Sequence, residues 1–346
     1  MNTPKNKTKF GILGCGMIAN VHADAISRIE NAELIGVADN NYEFAKKFAQ
    51  KHGNKAFIDY NDMLNSDIDV VCICTPSCFH APNAIEALKK GKHVVLEKPM
   101  ALSTKDADLV ISTAKQNKKL VTVISQLRFS DDIIRVKNLI ENGAFGKISL
   151  CELSMKYYRT EEYYSSSPWK GTLKFDGGGA LMNQGIHGVD LFQYILGDVK
   201  RVNGKVSTIY HDIEVEDTAV ATVEFESGAL GVITASTCAY PGFERKISIH
   251  GDNGYVVISE NRVEKIMIKG VEQEIEDFER FNTSDAPSIE KSNTASEPTK
   301  VESGLHKLQI EKLIKAINGQ AKLVIDANEG KKAVKIIEEI YSTSKI

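Results

Sequence analysis

Short apolar runs alternate with amphipathic stretches through the first third of the chain. KFGIL (9–13), AELIGVAD (32–39), VVCICT (70–75), HVVLE (93–97) and KLVTVIS (119–125) are brief and rich in β-branched residues, the mark of buried strands. Between them lie patterns of helical period through Ile26, from Tyr42 to His52, from Pro82 to Lys90 and through Lys115. Strands alternating with helices of 10 to 15 residues predict βαβ units and a doubly wound parallel sheet, an α/β Rossmann-type domain over residues 1–126.

Past Arg128 the rhythm changes. A helix is expected over Asp131 to Asn142, then a strand at ISLCELSMKY (148–157), an irregular aromatic stretch, and a helix from near Gly179 to Leu196 with Gly197 beyond its end. RVNGKVSTIY, DTAVATVEF, GALGVITAST, RKISIHG, GYVVISE and VEKIMIKG follow at short spacing with turn signals ESGA and GDNG between them. They predict an open, largely antiparallel sheet, so residues 127–346 read as a second, α+β domain. Residues 281–303 are polar and carry no period; a loop this long is disordered or functional, and a mobile flap is expected. HKLQIEKLIKAING and NEGKKAVKIIEEIYSTS read as two closing helices, assigned with the second domain.

Composition narrows the class. At 346 residues, 42% apolar, the chain is long enough for two cores. A net charge of −3, from 43 basic and 46 acidic residues, provides no field for nucleic acid or an anionic membrane. Partners are expected to be small molecules or copies of the chain itself. The cysteines at 15, 72, 74, 78, 151 and 238 form no CxxC pair or Cys/His cluster in sequence, so reduced thiols, no bound metal and a cytoplasmic location are expected. The basic MNTPKNKTK leads into a strand and not into a signal-peptide apolar region, and no run nears the ~20 apolar residues of a membrane span.

Candidate chemistry begins at the first strand-to-helix turn. Gly14-Cys15-Gly16-Met17-Ile18-Ala19 fits the G-x-G-x-x-G/A pattern, in which glycines let a pyrophosphate approach the amides of Met17 and Ile18 at the positive end of a helix. The next strand ends at Asp39, where an acid would accept bonds from an adenosine ribose. Asp39 repels a 2′-phosphate, and Asn40 and Asn41 supply no arginine to hold one, so NAD is expected over NADP. Later strands end in Thr75-Pro76 and Glu97-Lys98-Pro99, at the edge where ligands of open α/β sheets bind. Pro99 keeps Lys98 extended at its strand's end, with Glu97 directed to the opposite face.

In the second domain, Asn183 and His187 stand four apart on the expected helix and share a face, with Asp190 near it. Gly185 and Gly188 weaken a helix, and close approach by a ligand or another backbone is the expected reason. Oxidising a secondary alcohol requires a base and a group that steadies the developing alkoxide while hydride leaves. Lys98 and His187 fit either role, with Asn183 orienting the substrate.

Together, Gly14-x-Gly16-x-x-Ala19, Asp39, Thr75-Pro76 with His80, Glu97-Lys98-Pro99 and His187-x-x-Asp190 resemble the Gfo/Idh/MocA oxidoreductases. The resemblance implies NAD as cofactor, a Rossmann domain, Lys98 as a catalytic residue, and homodimer or homotetramer contacts through the open sheet. It adds His80 and Glu97 to the cofactor face and His306 to the substrate residues. Many members carry aspartate where Asn183 stands, which shifts weight to Lys98 and His187. Tyr158-Arg159, Glu162-Tyr163-Tyr164, Trp169-Lys170-Gly171-Thr172 and Asp176 to Gln184 resemble a narrower branch, acting on the 3-hydroxyl of UDP-N-acetylglucosamine or its uronic acid. There Arg159 would pair a phosphate or carboxylate, and Tyr164 and Trp169 would stack on a ring, unless these rings only pack an interface. Inositol or polyol oxidation, keto-sugar reduction and a non-catalytic NAD-sensing regulator are the other functions this fold admits.

Overall fold

The structure, a computed structural model, describes residues 7–271 and 303–344; the segment 281–302, where a flap was expected, lies outside the described residues. The chain forms two compact units, Met1–Gln126 with Val301–Val334, and Leu127–Lys300 with Lys335–Ile346.

In unit 1 the apolar runs form β1 (Thr8–Leu13), β2 (Ala32–Ala38), β3 (Lys55–Ala56), β4 (Val70–Ile73), β5 (His93–Leu96) and β6 (Val121–Val123). They pair in parallel in the order β3-β2-β1-β4-β5-β6. The connections include α1 (Met17–Ser27), α2 (Tyr42–His52), α3 (Tyr60–Leu64), α4 (His80–Lys89) and α5 (Thr104–Asn117). Every residue of β4 is buried, as a strand covered on both faces must be. The strand order reverses at β1/β4, and such switch points are where doubly wound sheets hold ligands.

In unit 2 come α6 (Asp131–Glu141), β7 (Ile148–Lys156), α7 (Glu161–Ser165), α8 (Leu173–Asp176) and α9 (Ile186–Leu196), then β8 (Val199–Ser207), β9 (Thr218–Phe225), β10 (Leu230–Ser236), β11 (Lys246–Gly251), β12 (Gly254–Ser259) and β13 (Arg262–Ile268). The sheet runs β13-β12-β11-β7-β10-β9-β8; β7 and β10 are parallel, the other pairs antiparallel. Alternate residues such as Ala219, Ala221, Val223 and Phe225 are buried, and Val189, Leu191, Phe192 and Ile195 of α9 are buried with them. On the other side Leu150, Val220, Leu230 and Met267 stay exposed. Among the described residues no helix is long and apolar enough to cross a membrane.

Three expectations are corrected. The closing helices, α10 (Gly304–Ile317) and α11 (Ala327–Ser344), were assigned to the second domain; α10 and α11 up to Val334 belong to unit 1. Ile310, Leu313 and Ile314 complete the core of Phe10, Ile26 and Val70, while Gln309 donates to Val123 O (2.7 Å) and accepts from Ser125 N (3.1 Å). An amphipathic stripe states that a helix is buried on one side, not which core receives it. The single helix expected from Gly179 is a π-helical turn at Ala180–Gly185 followed by α9. The Glu216 carboxylate accepts from Gly179 N and Leu181 N, and Glu216 O accepts from Ala180 N, drawing the first turn out of α-helical register. Gly188 is explained by side-chain packing and not by a ligand: an added Cβ would lie 2.5 Å from Met155 Sδ and 3.0 Å from Arg245 Cδ. At Gly185 the added Cβ would meet Ala180 O at 2.6 Å.

Candidate active site

The glycine turn shapes the cofactor face of unit 1. Gly14 has φ +89°, and a Cβ there would lie 2.8 Å from Cys74 O on the neighbouring strand, so only glycine fits. At Gly16 a Cβ would meet nothing within 4 Å, leaving open space before the first turn of α1. That turn carries no side-chain cap and no acid, so the amides of Met17 and Ile18 are offered to an anion. Asp39, just past β2, accepts from Cys15 N (2.8 Å) and Asn41 N (2.9 Å), which pins its carboxylate beside the turn with lone pairs to spare for ribose hydroxyls. An uncapped helix start, a cradle without side chains and a fixed acid fit NAD.

His80 binds the ends of β4 and β5 together, and His22 ties α1 to the end of β5. The His80 ring lies with Nδ1 2.6 Å from Pro99 O and Nε2 2.8 Å from Thr75 O. Both neighbours are acceptors, so a neutral ring satisfies one carbonyl at a time; burial pushes its pKa down while those two hydrogen bonds oppose the shift. His22, from α1, brings Nε2 to 2.8 Å from Glu97 Oε1, and Glu97 Oε2 accepts from Lys98 N (3.1 Å). Glu97 therefore points into the unit, where it is 5% exposed. Burial alone would raise its pKa, but the His22 bond and the charges of His22, His306 and Lys98 prevail and lower it to about 2. Lys98 is half-buried at the end of β5.

The unit 2 residues sit in a hydrogen-bonded frame. Asn183 lies in the π turn and His187 opens α9, both half-buried. Asp190 is drawn inward to Arg128, with Oδ2 2.9 Å from Nε and Oδ1 2.6 Å from a terminal nitrogen, while the guanidinium lies 4.6 Å from the Tyr194 ring centre. Arg159, expected to meet an anion, is 5% exposed and donates through Nε (3.1 Å) and Nη2 (2.9 Å) to Gln184 Oε1. Gln184 Nε2 in turn donates to Tyr163 Oη (2.8 Å) and Asn183 Oδ1 (3.2 Å), so Arg159 reaches Asn183 through an amide. Tyr164 donates to Thr237 Oγ1 (3.1 Å) and its ring faces His211; Trp169 is half-buried beside Lys170.

Sequence reasoning missed Glu216 and Tyr341, whose hydroxyl donates to Glu216 Oε1 (2.8 Å), and Gln184, His22 and His211 as supports. No spacing links these partners, which are distant in the chain. Nor did spacing reveal that Cys238 joins His211 and Asp217, with ligand atoms within 4.8 Å of one another, as those of His22, Glu97 and His306 also are. The His211, Asp217 and Cys238 group is held by hydrogen bonds. Asp217 accepts from Ile209, Tyr210 and His211 amides, and His211 Nε2 donates to Arg159 O (2.9 Å), leaving Nδ1 to face the Cys238 thiol at 3.5 Å.

A parallel 3-2-1-4-5-6 sheet with a glycine cradle and an acid past the end of β2, joined to a mixed-sheet domain, defines a two-domain NAD-dependent oxidoreductase. Residues 8–125 match the NAD-binding Rossmann model of the oxidoreductase family, and residues 133–257 match the GFO/IDH/MocA C-terminal domain. The chain belongs to the Gfo/Idh/MocA family, as an NAD-dependent oxidoreductase of sugars or polyols. It is similar to the WlbA dehydrogenase from Bordetella pertussis, whose structure holds NADH and UDP-GlcNAcA (29% identity, 98% of this chain, 97% of that one, TM-score 0.85). The WlbA dehydrogenase from Chromobacterium violaceum, with the same two ligands, is 30% identical over 99% of this chain and 95% of that one, TM-score 0.86. The myo-inositol 2-dehydrogenase of Thermotoga maritima is 28% identical over 72% of this chain and 74% of its own length.

Proposed function

We propose that the chain transfers hydride between NAD and a secondary hydroxyl, at C3, of a nucleotide-linked sugar. The observation that carries this reading is the match over 98% and 99% of the chain to two dehydrogenases whose structures hold NADH with UDP-GlcNAcA. The Arg159–Gln184–Asn183 frame supports it, because it fixes an amide where a carboxylate would repel an anionic sugar. Lys98 takes the hydroxyl proton or steadies the alkoxide, His187 shares that work, and Asn183 orients the sugar; NAD, which the glycine turn and Asp39 would hold, would supply the hydride acceptor as the alcohol is oxidised to a ketone. Tyr164 and Trp169 are assigned to the substrate, and Thr75, Pro76 and His80 to the cofactor; His306, expected near the substrate, lies buried beside Glu97.

Oxidation of an inositol or other polyol is the second reading, favoured by the Thermotoga maritima relative. A panel of UDP-sugars, inositols and hexoses, followed by nicotinamide absorbance with an external keto-acid acceptor present, decides between them. Turnover of inositols alone refutes the first reading. The same proposal makes the protein a cytoplasmic homodimer or homotetramer, supported by the exposed Leu150, Val220, Leu230 and Met267 on one sheet face. A monomer by light scattering refutes that assembly.

A further inference from the structure

We propose that Glu97, clasped by His22 and His306, is a positioning residue for Lys98, a buried anion that fixes the lysine's backbone and sets the charge its amine experiences. This rests on the reading of Lys98 as the group that handles the substrate hydroxyl proton.

Three segments far apart in the chain meet at this carboxylate. His22 comes from α1 and His306 from α10; their rings meet edge-on at 5.5 Å, and His306 Nε2 lies 3.9 Å from Glu97 Oε1. His22 is fully buried, and its Nδ1 has no hydrogen-bond partner among the described residues, so the ring's one bond is spent on Glu97. The two Glu97 oxygens have separate tasks: Oε1 holds His22, and Oε2 holds the Lys98 amide. The peptide that carries the lysine is thereby tied to the interior.

A neutral amide at 97 would also bond to His22 and to Lys98 N, so hydrogen bonding alone does not call for an acid. An ion does something an amide does not. The Lys98 charge helps keep Glu97 ionised, and by reciprocity the Glu97 carboxylate favours the charged form of the Lys98 amine. The titratable groups around the pair are His22 from α1, Cys72 and Cys74 from β4, His80 from α4 and His306 from α10. Burial pushes both thiols up, so they stay uncharged, and it pushes His80 down. Glu97 is then an anion of this cluster that interacts with the lysine's charge.

The test reads Lys98 without any substrate. The full-length protein is acetylated with trace acetic anhydride across a pH series, and mass spectrometry follows Lys98 against exposed Lys47. Glu97→Gln lowers the Lys98 midpoint by about one unit or more. His22→Gln, which keeps a donor, and His22→Phe, which does not, each lower it less than Glu97→Gln, since Glu97 stays ionised at the pH where the amine titrates. An unchanged midpoint in Glu97→Gln with normal NADH binding and melting overturns the proposal, as does loss of NADH binding in both glutamine variants, which would make the cluster a folding element only. Where a substrate is in hand, the acid limb of kcat/KM moves with the labelling midpoint while KM for NAD holds. If Lys98→Met keeps its turnover while the midpoint still shifts, the role given to Lys98 fails and the electrostatic coupling stands.

Discussion

Replacing Asp190 by asparagine tests how the helix that carries His187 is held. Asp190 lies three residues after His187 on α9 and receives two hydrogen bonds, at 2.9 and 2.6 Å, from Arg128, whose guanidinium also covers Tyr194 at 4.6 Å. Both side chains are buried. Breaking a buried ion pair from one side costs about 3–5 kcal/mol, because the remaining charge keeps its desolvation penalty and loses its counter-charge. Asparagine keeps the shape and one acceptor, which puts Asp190→Asn near the lower end, about 3 kcal/mol. For a unit of this size each kcal/mol moves the melting temperature by roughly 2–4 °C, so a fall of about 6–12 °C is expected. Removing both charges, in Arg128→Leu with Asp190→Leu, leaves no buried ion and recovers more than half of that loss if the volume is filled. Calorimetry on the wild type, Asp190→Asn, the single variants Arg128→Leu and Asp190→Leu, and the double variant supplies the cycle. A fall of less than about 2 °C in Asp190→Asn, or a double variant no more stable than the single one, would falsify the account of α9 as anchored by charge.

Asp39→Ala removes the acid that Cys15 N and Asn41 N hold in place, and should weaken NADH binding about 10–100-fold while narrowing the gap to NADPH, read by fluorescence titration. Lys98→Met should cut turnover at least about 100-fold with NADH binding kept; an unchanged rate sinks the assigned role. Glu97 has a folded-state pKa lowered from 4.5 to about 2, so its stabilisation is whole above about pH 5 and is lost as pH falls through that window. Melting temperatures should accordingly drop toward pH 2 more steeply in the wild type than in Glu97→Gln, and parallel curves would contradict the shift. Gly188→Ala should cost about 1–3 kcal/mol through the clash with Met155, measured by denaturant titration, and Met155→Ala in the same chain should relieve part of it.

Local signals reached the glycine turn and Asp39 because that geometry is itself local. The strand, the glycine turn, the helix start and Asp39 follow one another in the chain, and the amide bonds that hold Asp39 close within a few residues or across one strand pair. The helix bearing His187 was legible from its apolar spacing, but its π-helical first turn was not, since Glu216 lies more than 30 residues away and imposes it through two amide bonds. Arg159 read as an anion receptor by residue type, and its burial and its bonds to Gln184 were not readable from the sequence. The histidine pair around Glu97 had no sequence signature at all, because α1, β5 and α10 are far apart in the chain.

Alternation of short apolar runs with amphipathic helices determined the doubly wound sheet, and the residues at its turns determined the cofactor, since period and turn chemistry act over one or two elements. Only the tertiary structure decided that α10 completes the first core, that Glu97 faces inward and that Asp190 is neutralised by Arg128. An apolar stripe or a charged side chain states a need for burial or for a partner, and many partners would meet it. Which one does is settled by how all the elements pack at once, and no stretch of the chain carries that information alone.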